Sequence, residues 1–188
     1  MKSRSTIKYS VLFIFAALFF VGCGTPNPAG EKVKEPFSGS NYESNKRYWR
    51  AVGKGSSMDD NIAKNKADLQ AKKELAQQVE TTMKVVTDQY FSDTETNNSG
   101  EMNDKFQSLI REVTNTEIAD LRKIGEEKYY NAGEDKYTVY IAYEIQKKQM
   151  LRFMKKQAKL DAKFDKESQE LIDAIIDKEL DRLESEGE

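Results

Sequence analysis

The chain has 188 residues, with 30 Lys and Arg against 32 Asp and Glu, no histidine and one cysteine. Without histidine there is no Ser-His-Asp triad, no Cys-His dyad and no histidine zinc site, and one cysteine closes no disulfide within the chain. The charge lacks the basic surplus that a phosphate backbone demands, so nucleic acid is not an expected partner.

The first eight residues carry Lys2, Arg4 and Lys8 and no acid, and Tyr9 to Gly22 follow as fourteen residues without a charge. A basic leader and a short apolar run have the layout of a secretory signal peptide. Fourteen helical residues span about 21 Å against about 30 Å of bilayer core, so a permanent transmembrane helix is not expected. The run ends Phe20-Val21-Gly22-Cys23. This resembles the lipobox of bacterial lipoproteins, with Phe20 where that pattern usually has leucine. The resemblance implies that residues 1–22 are a lipoprotein signal peptide cleaved after Gly22. Cys23 is then the lipidation site, its thiol carrying a diacylglycerol and its amino end an acyl chain of the palmitate type. Two or three such chains, at about 0.8 kcal/mol per buried CH₂, hold a protein durably. Gly24 stands where an Asp would mark inner-membrane retention, which implies the cell outer membrane, with the periplasmic or surface face left open. The alternative is a free buried thiol beside an uncleaved anchor. Loss of the three leader bases leaves 27 bases against 32 acids.

Residues 24–46 hold all three prolines, Pro26, Pro28 and Pro36, among Gly, Ser and Asn. So little apolar content does not offset the entropy of ordering, and 23–46 is expected to be the lipidated cysteine and a flexible tether with an end-to-end distance of roughly 25 Å. The folded domain, 47–188, is expected to start near Arg47. Tyr48 to Ser56 alternates with period two, placing Trp49, Ala51, Gly53 and Gly55 on one face. The spacing predicts a strand whose small residues let a helix pack close. Gly53-Lys54-Gly55-Ser56-Ser57 lacks the spacing of a dinucleotide fingerprint or a Walker loop, and reads as a strand end tightening into a helix start. Ser57, with Asp60 three residues on, is the expected cap of that helix. Ala63, Ala67, Ala71, Leu75, Val79, Met83 and Val86 then form one apolar stripe.

A polar loop is expected over 91–100, then a shorter helix burying Phe106, Leu109, Ile110 and Val113. Two β-rich segments, 121–130 and 136–145, flank Asn131-Ala132-Gly133 and predict a hairpin. In the second, Tyr137, Val139, Ile141, Tyr143 and Ile145 share one face; Thr138, Tyr140, Ala142 and Glu144 share the other. From Gln146 to about Leu183 the pattern is helical, 38 residues without Gly or Pro, or about 57 Å if unbroken. Residues 146–163 hold seven bases and one acid, and 164–188 hold ten acids and three bases. That split suits antiparallel self-pairing, a charged partner, or a plain solvated helix.

The fold class these elements predict is α+β: a small antiparallel sheet of about three strands packed on a long helix, with a long C-terminal helix. The lipobox, the strand ending Ala51-Val52-Gly53-Lys54-Gly55-Ser56, the alanine-spaced helix with Lys73-Glu74-Leu75-Ala76, and the strand Tyr137 to Tyr143 together resemble the LPP-twenty family of bacterial lipoproteins. They are also similar to the N-terminal domain of the flagellar T-ring assembly protein. The likeness covers about residues 47–150. It implies a cell-envelope location and supplies no catalytic residues, no cofactor and no metal ligand. Two functions stay open. One is a non-catalytic, lipid-anchored interaction or structural module that binds an envelope protein or a second copy. Its surface would be the sheet face away from the first helix, carrying Tyr130, Tyr137, Tyr140 and Tyr143 depending on register. The same rings could be core. The other is a cell-wall-acting protein: an activator of a wall synthase, or a glycosidase with two carboxylates about 5–9 Å apart.

Overall fold

A computed structural model describes residue 30 and residues 33–94, 99–116 and 120–186. Cys23, the expected signal peptide and most of the expected tether lie outside the described residues. The chain divides between Lys34 and Glu35, and the larger compact unit is Glu35–Glu188.

Two glycines set the distance between the first strand and the first helix. Strand β1 (Tyr48–Ser57) buries Trp49, Ala51, Gly53 and Gly55 in alternation, and helix α1 (Asp60–Thr94) buries Ala63, Ala67, Ala71, Leu75, Val79, Met83 and Thr87. A Cβ on Gly53 would stand 1.9 Å from the Ala67 carbonyl oxygen, and one on Gly55 would stand 2.1 Å from that of Ala63. The two backbones run antiparallel in direct contact. Two strand residues rise about 6.6 Å and four helix residues about 6 Å, so each small residue of β1 meets the next alanine of α1. Thr87 takes the last place in the stripe instead of Val86, and its hydroxyl donates to the Met83 carbonyl at 2.7 Å. The cap also differs from expectation. Ser57 stays in the strand, paired with Tyr137, and Asp59 caps α1: its side chain accepts from Ile62 N at 2.9 Å and its carbonyl from Ala63 N at 3.0 Å.

Helix α2 (Ser99–Thr116) buries Met102, Phe106, Leu109, Ile110 and Val113. Of the expected polar loop, 91–94 belong to α1, 99–100 to α2, and 95–98 lie outside the described residues. The hairpin follows as β2 (Arg122–Asn131) and β3 (Lys136–Gln146), giving a three-stranded antiparallel sheet of order β1-β3-β2. The Asn131 side chain accepts from Gly133 N at 3.0 Å and sets the turn.

Helices α3 (Lys147–Leu160) and α4 (Lys166–Ser185) occupy the C-terminal helical stretch, so it is not continuous. Two aspartates break it. Asp161 accepts from Lys163 N at 2.9 Å, Asp165 caps α4 by accepting from Ser168 N at 2.8 Å, and Phe164 turns into the core between them. The fold-back explains the charge split. Lys148 meets Glu184 at 3.2 Å, Lys155 meets Asp177 at 2.7 Å and Lys159 meets Asp173 at 2.8 Å. Each turn forward on α3 matches one turn back on α4, so the opposite charges pair within one chain. Such partly exposed pairs contribute up to about 1 kcal/mol each and serve mainly to fix the alignment. The C-terminal half of α1 with α2, α3 and α4 encloses the main core around Leu75, Phe106, Met154 and Ile172.

Residues 35–46 pack on the domain, which therefore begins at Glu35 rather than near Arg47. They form a strap across the sheet face opposite α1. Phe37, at φ 57° after Pro36, lays its ring where a Cβ on Gly125 would stand, 2.4 Å from Cε1. Left-handed backbone at a bulky residue costs about 1–2 kcal/mol, which partial burial of the ring against Gly125 and Tyr42 offsets. The Glu35 carboxylate accepts from Lys54 at 2.6 Å and from the Tyr140 hydroxyl at 3.4 Å. Arg50 N donates to Ser44 Oγ at 2.8 Å and Gln78 Nε2 donates to Arg50 O at 2.9 Å, which satisfies the outer edge of β1 at that residue. Gly125→Val is expected to expel the Phe37 ring, lower stability by about 1 kcal/mol, and speed chymotryptic cleavage after Phe37. An unchanged cleavage rate would contradict this packing.

Candidate functional site

The tyrosines do not share one face. Tyr130 stands opposite Tyr137 on the α1 side, with ring centroids 4.8 Å apart. Tyr129 and Tyr140 meet edge-on at 6.0 Å on the strap side. Tyr143 points to α1, where its hydroxyl donates to Asp68 at 2.6 Å. The expected aromatic surface is thus split by the strand alternation, and the strap covers the middle of the other face. Ala142 there is 1 % exposed and Tyr140 7 %. Tyr129 and Tyr130 remain half-exposed near the hairpin end.

Burial pushes the Tyr143 hydroxyl up to about 12, aided by its bond to Asp68 and by the Asp68 and Glu126 charges. A folded value above the unfolded one of about 10 means that this contribution is complete below about pH 10 and is lost as pH rises toward 12. Tyr143→Phe is expected to cost about 1 kcal/mol at neutral pH and to flatten the loss of stability between about pH 9 and pH 11.5. Urea midpoints of both proteins at the two pH values measure it. Parallel declines would contradict it.

An open groove lies elsewhere on the domain. A groove of about 700 Å³ runs beside α1 from Glu74 to Gln89, roughly 22 Å of helix. Its floor is Trp49, the one tryptophan of the chain, 3 % exposed, whose indole N–H donates to Thr82 Oγ1 at 3.2 Å. Its far wall is Glu179 and Arg182 of α4. Glu179 is buried and accepts from Arg182 Nε at 2.7 Å and Nη2 at 2.6 Å. That bond, with help from Glu186, holds the guanidinium further above its ordinary value. Glu179 therefore spends its charge inside the protein.

Lys147 differs from its neighbours. It follows β3 directly, and its Nζ lies over the Trp49 ring, 5.4 Å from the centroid. Burial pulls its ammonium below the ordinary lysine value, and the Arg182 charge pulls it further, against Glu179 and Glu186. Along the open flank of α1, Gln77, Thr81, Val85 and Gln89 recur every fourth residue, a row on one side of the helix. Val85 in that row is 60 % exposed.

Sequence reasoning misses this groove. Residues 49, 82, 147 and 182 meet only through the topology, and the 77-81-85-89 row is too polar to register as a stripe. Chemically the groove offers an ammonium, amide and hydroxyl groups, and an apolar patch at Val85 and Val86, which is an inventory for binding. Among the described residues no group of three or more His, Cys, Asp or Glu could hold a metal ion, and no helix is long and apolar enough to cross a membrane.

The fold is α+β, a three-stranded antiparallel sheet on a long helix that extends into a helical cluster. No family model, no curated protein and no solved structure matches the chain.

Proposed function

We propose that this is a non-catalytic, lipid-anchored protein of the bacterial cell envelope, held at the outer membrane through Cys23, whose domain binds a partner in the groove over Trp49. The open groove with its lysine carries the binding part of this reading. The anchor rests on the basic leader, the uncharged run and Phe20-Val21-Gly22-Cys23. The compact unit starts at Glu35, so the twelve residues Cys23 to Lys34 link it to the anchor. A chain of that length reaches at most about 40 Å.

A photo-crosslinking side chain placed at Val85 in living cells tests the binding part. Leu160, 67 % exposed on α3, is the control position. The reading predicts a discrete adduct from position 85 and none from 160, its mass distinguishing a second copy from another envelope protein. Equal labelling at both positions, or none at 85, would contradict it.

A further inference from the structure

We infer that the groove takes an acidic peptide segment of its partner, with a carboxylate docked on Lys147. This rests on the binding role proposed above and specifies its chemistry. The neighbouring lysines are paired: Lys148 with Glu184, Lys155 with Asp177 and Lys178 with Asp93. Among the described residues Lys147 has only the indole face. Its ammonium is half-buried without a close acceptor, and Glu179 and Glu186, whose charges reach it, are both held by Arg182. A half-buried ammonium in that state gains most from a carboxylate, because a charge-assisted hydrogen bond restores what desolvation removed.

The walls select an extended peptide and the place of its acid. About 22 Å of groove matches roughly seven extended residues. Gln77, Thr81 and Gln89 line the open flank, with side chains that can donate to and accept from a peptide backbone, and Val85 offers an apolar contact between them. Glu74, at one end, lies two helical turns, about 12 Å, from Thr82 and disfavours a second acid there. The carboxylate therefore sits midway along the groove, over Trp49.

Trp49 is the sole tryptophan and lies under Lys147, so its fluorescence reports this site. The full-length chain in detergent micelles is titrated with the seven-residue peptide acetyl-Ser-Val-Ser-Glu-Ser-Val-Ser-amide and with its glutamine counterpart. The expected result is a saturable change with the glutamate peptide and binding weaker by about tenfold or more with the glutamine peptide. Lys147→Met, which removes the charge but keeps an unbranched side chain, should abolish that preference. Lys147→Arg should restore most of it, and Lys148→Met should leave it intact. Equal affinity for both peptides, an unchanged preference in Lys147→Met, or no saturable change at millimolar peptide would overturn the inference. A position-85 adduct alongside any of these would show that binding stands and only its acidic chemistry fails.

Discussion

The Gly53→Ala protein is expected to lose at least about 3 kcal/mol of stability, although alanine in an ordinary strand interior is favoured over glycine by about 0.5–1 kcal/mol. The sign reverses because the new methyl would stand 1.9 Å from the Ala67 carbonyl oxygen and 2.5 Å from the Ala71 nitrogen. Both are backbone atoms of α1, and no rotamer change relieves them. Either the strand lifts off the helix, opening the Ala63-Ala67-Val139-Ile141 cluster, or the helix moves and disturbs Leu75 and Val79 below. A loss of about 3 kcal/mol corresponds to a fall of roughly 6–12 °C in Tm for a domain of this size. Gly100 in α2 has nothing within 4 Å of an added Cβ. Gly100→Ala should be neutral or stabilise by up to about 1 kcal/mol. If the two substitutions lower Tm equally, the close strand-helix contact is wrong.

Phe106→Ala should cost about 3–5 kcal/mol, the range for removing a fully buried ring. Phe106 is 0 % exposed and belongs to the cluster with Met83, Met154 and Ile172 that joins α2 to α1, α3 and α4. Helix α1 runs through both this helical half and the sheet half, so the loss should be shared. Hydrogen exchange is expected to accelerate by a similar factor at Val139 and Ile141 in β3 and at Ile172 and Ile176 in α4. Faster exchange confined to α2 and α4, with β3 unchanged, would mean that the two halves open independently.

How far the sequence carried depended on the range of the determining contact. The α1 stripe was legible because alanines every fourth residue follow a strand whose inward positions are small, and both patterns are local. The α2 stripe and the hairpin were legible for the same reason. The strap was not. Its anchor Phe37, packed against Tyr42, fits because Gly125, far along the chain, has no side chain. The C-terminal break carried a local signal that the lack of Gly and Pro obscured: Asp161 and Asp165 each accept a backbone N–H, and Asp165-Lys166-Glu167-Ser168 is a capping sequence. The tyrosine face failed on strand alternation, which puts Tyr137 and Tyr143 on one side of β3 and Tyr140 on the other, while register adds Tyr130 opposite Tyr137 and places Tyr129 with Tyr140. The groove over Trp49 brings together four elements, so no sequence period marks it.

The proposed role joins an anchor to a binding domain, and the anchor is the part most directly measured. Protein extracted from membranes should begin at Cys23, with a mass increased by diacylglycerol and an amide-linked acyl chain on that residue, and Cys23→Ser should leave the leader uncleaved or release the protein. An unmodified amino end at any other residue, or membrane association unchanged in Cys23→Ser, would contradict the role proposed here.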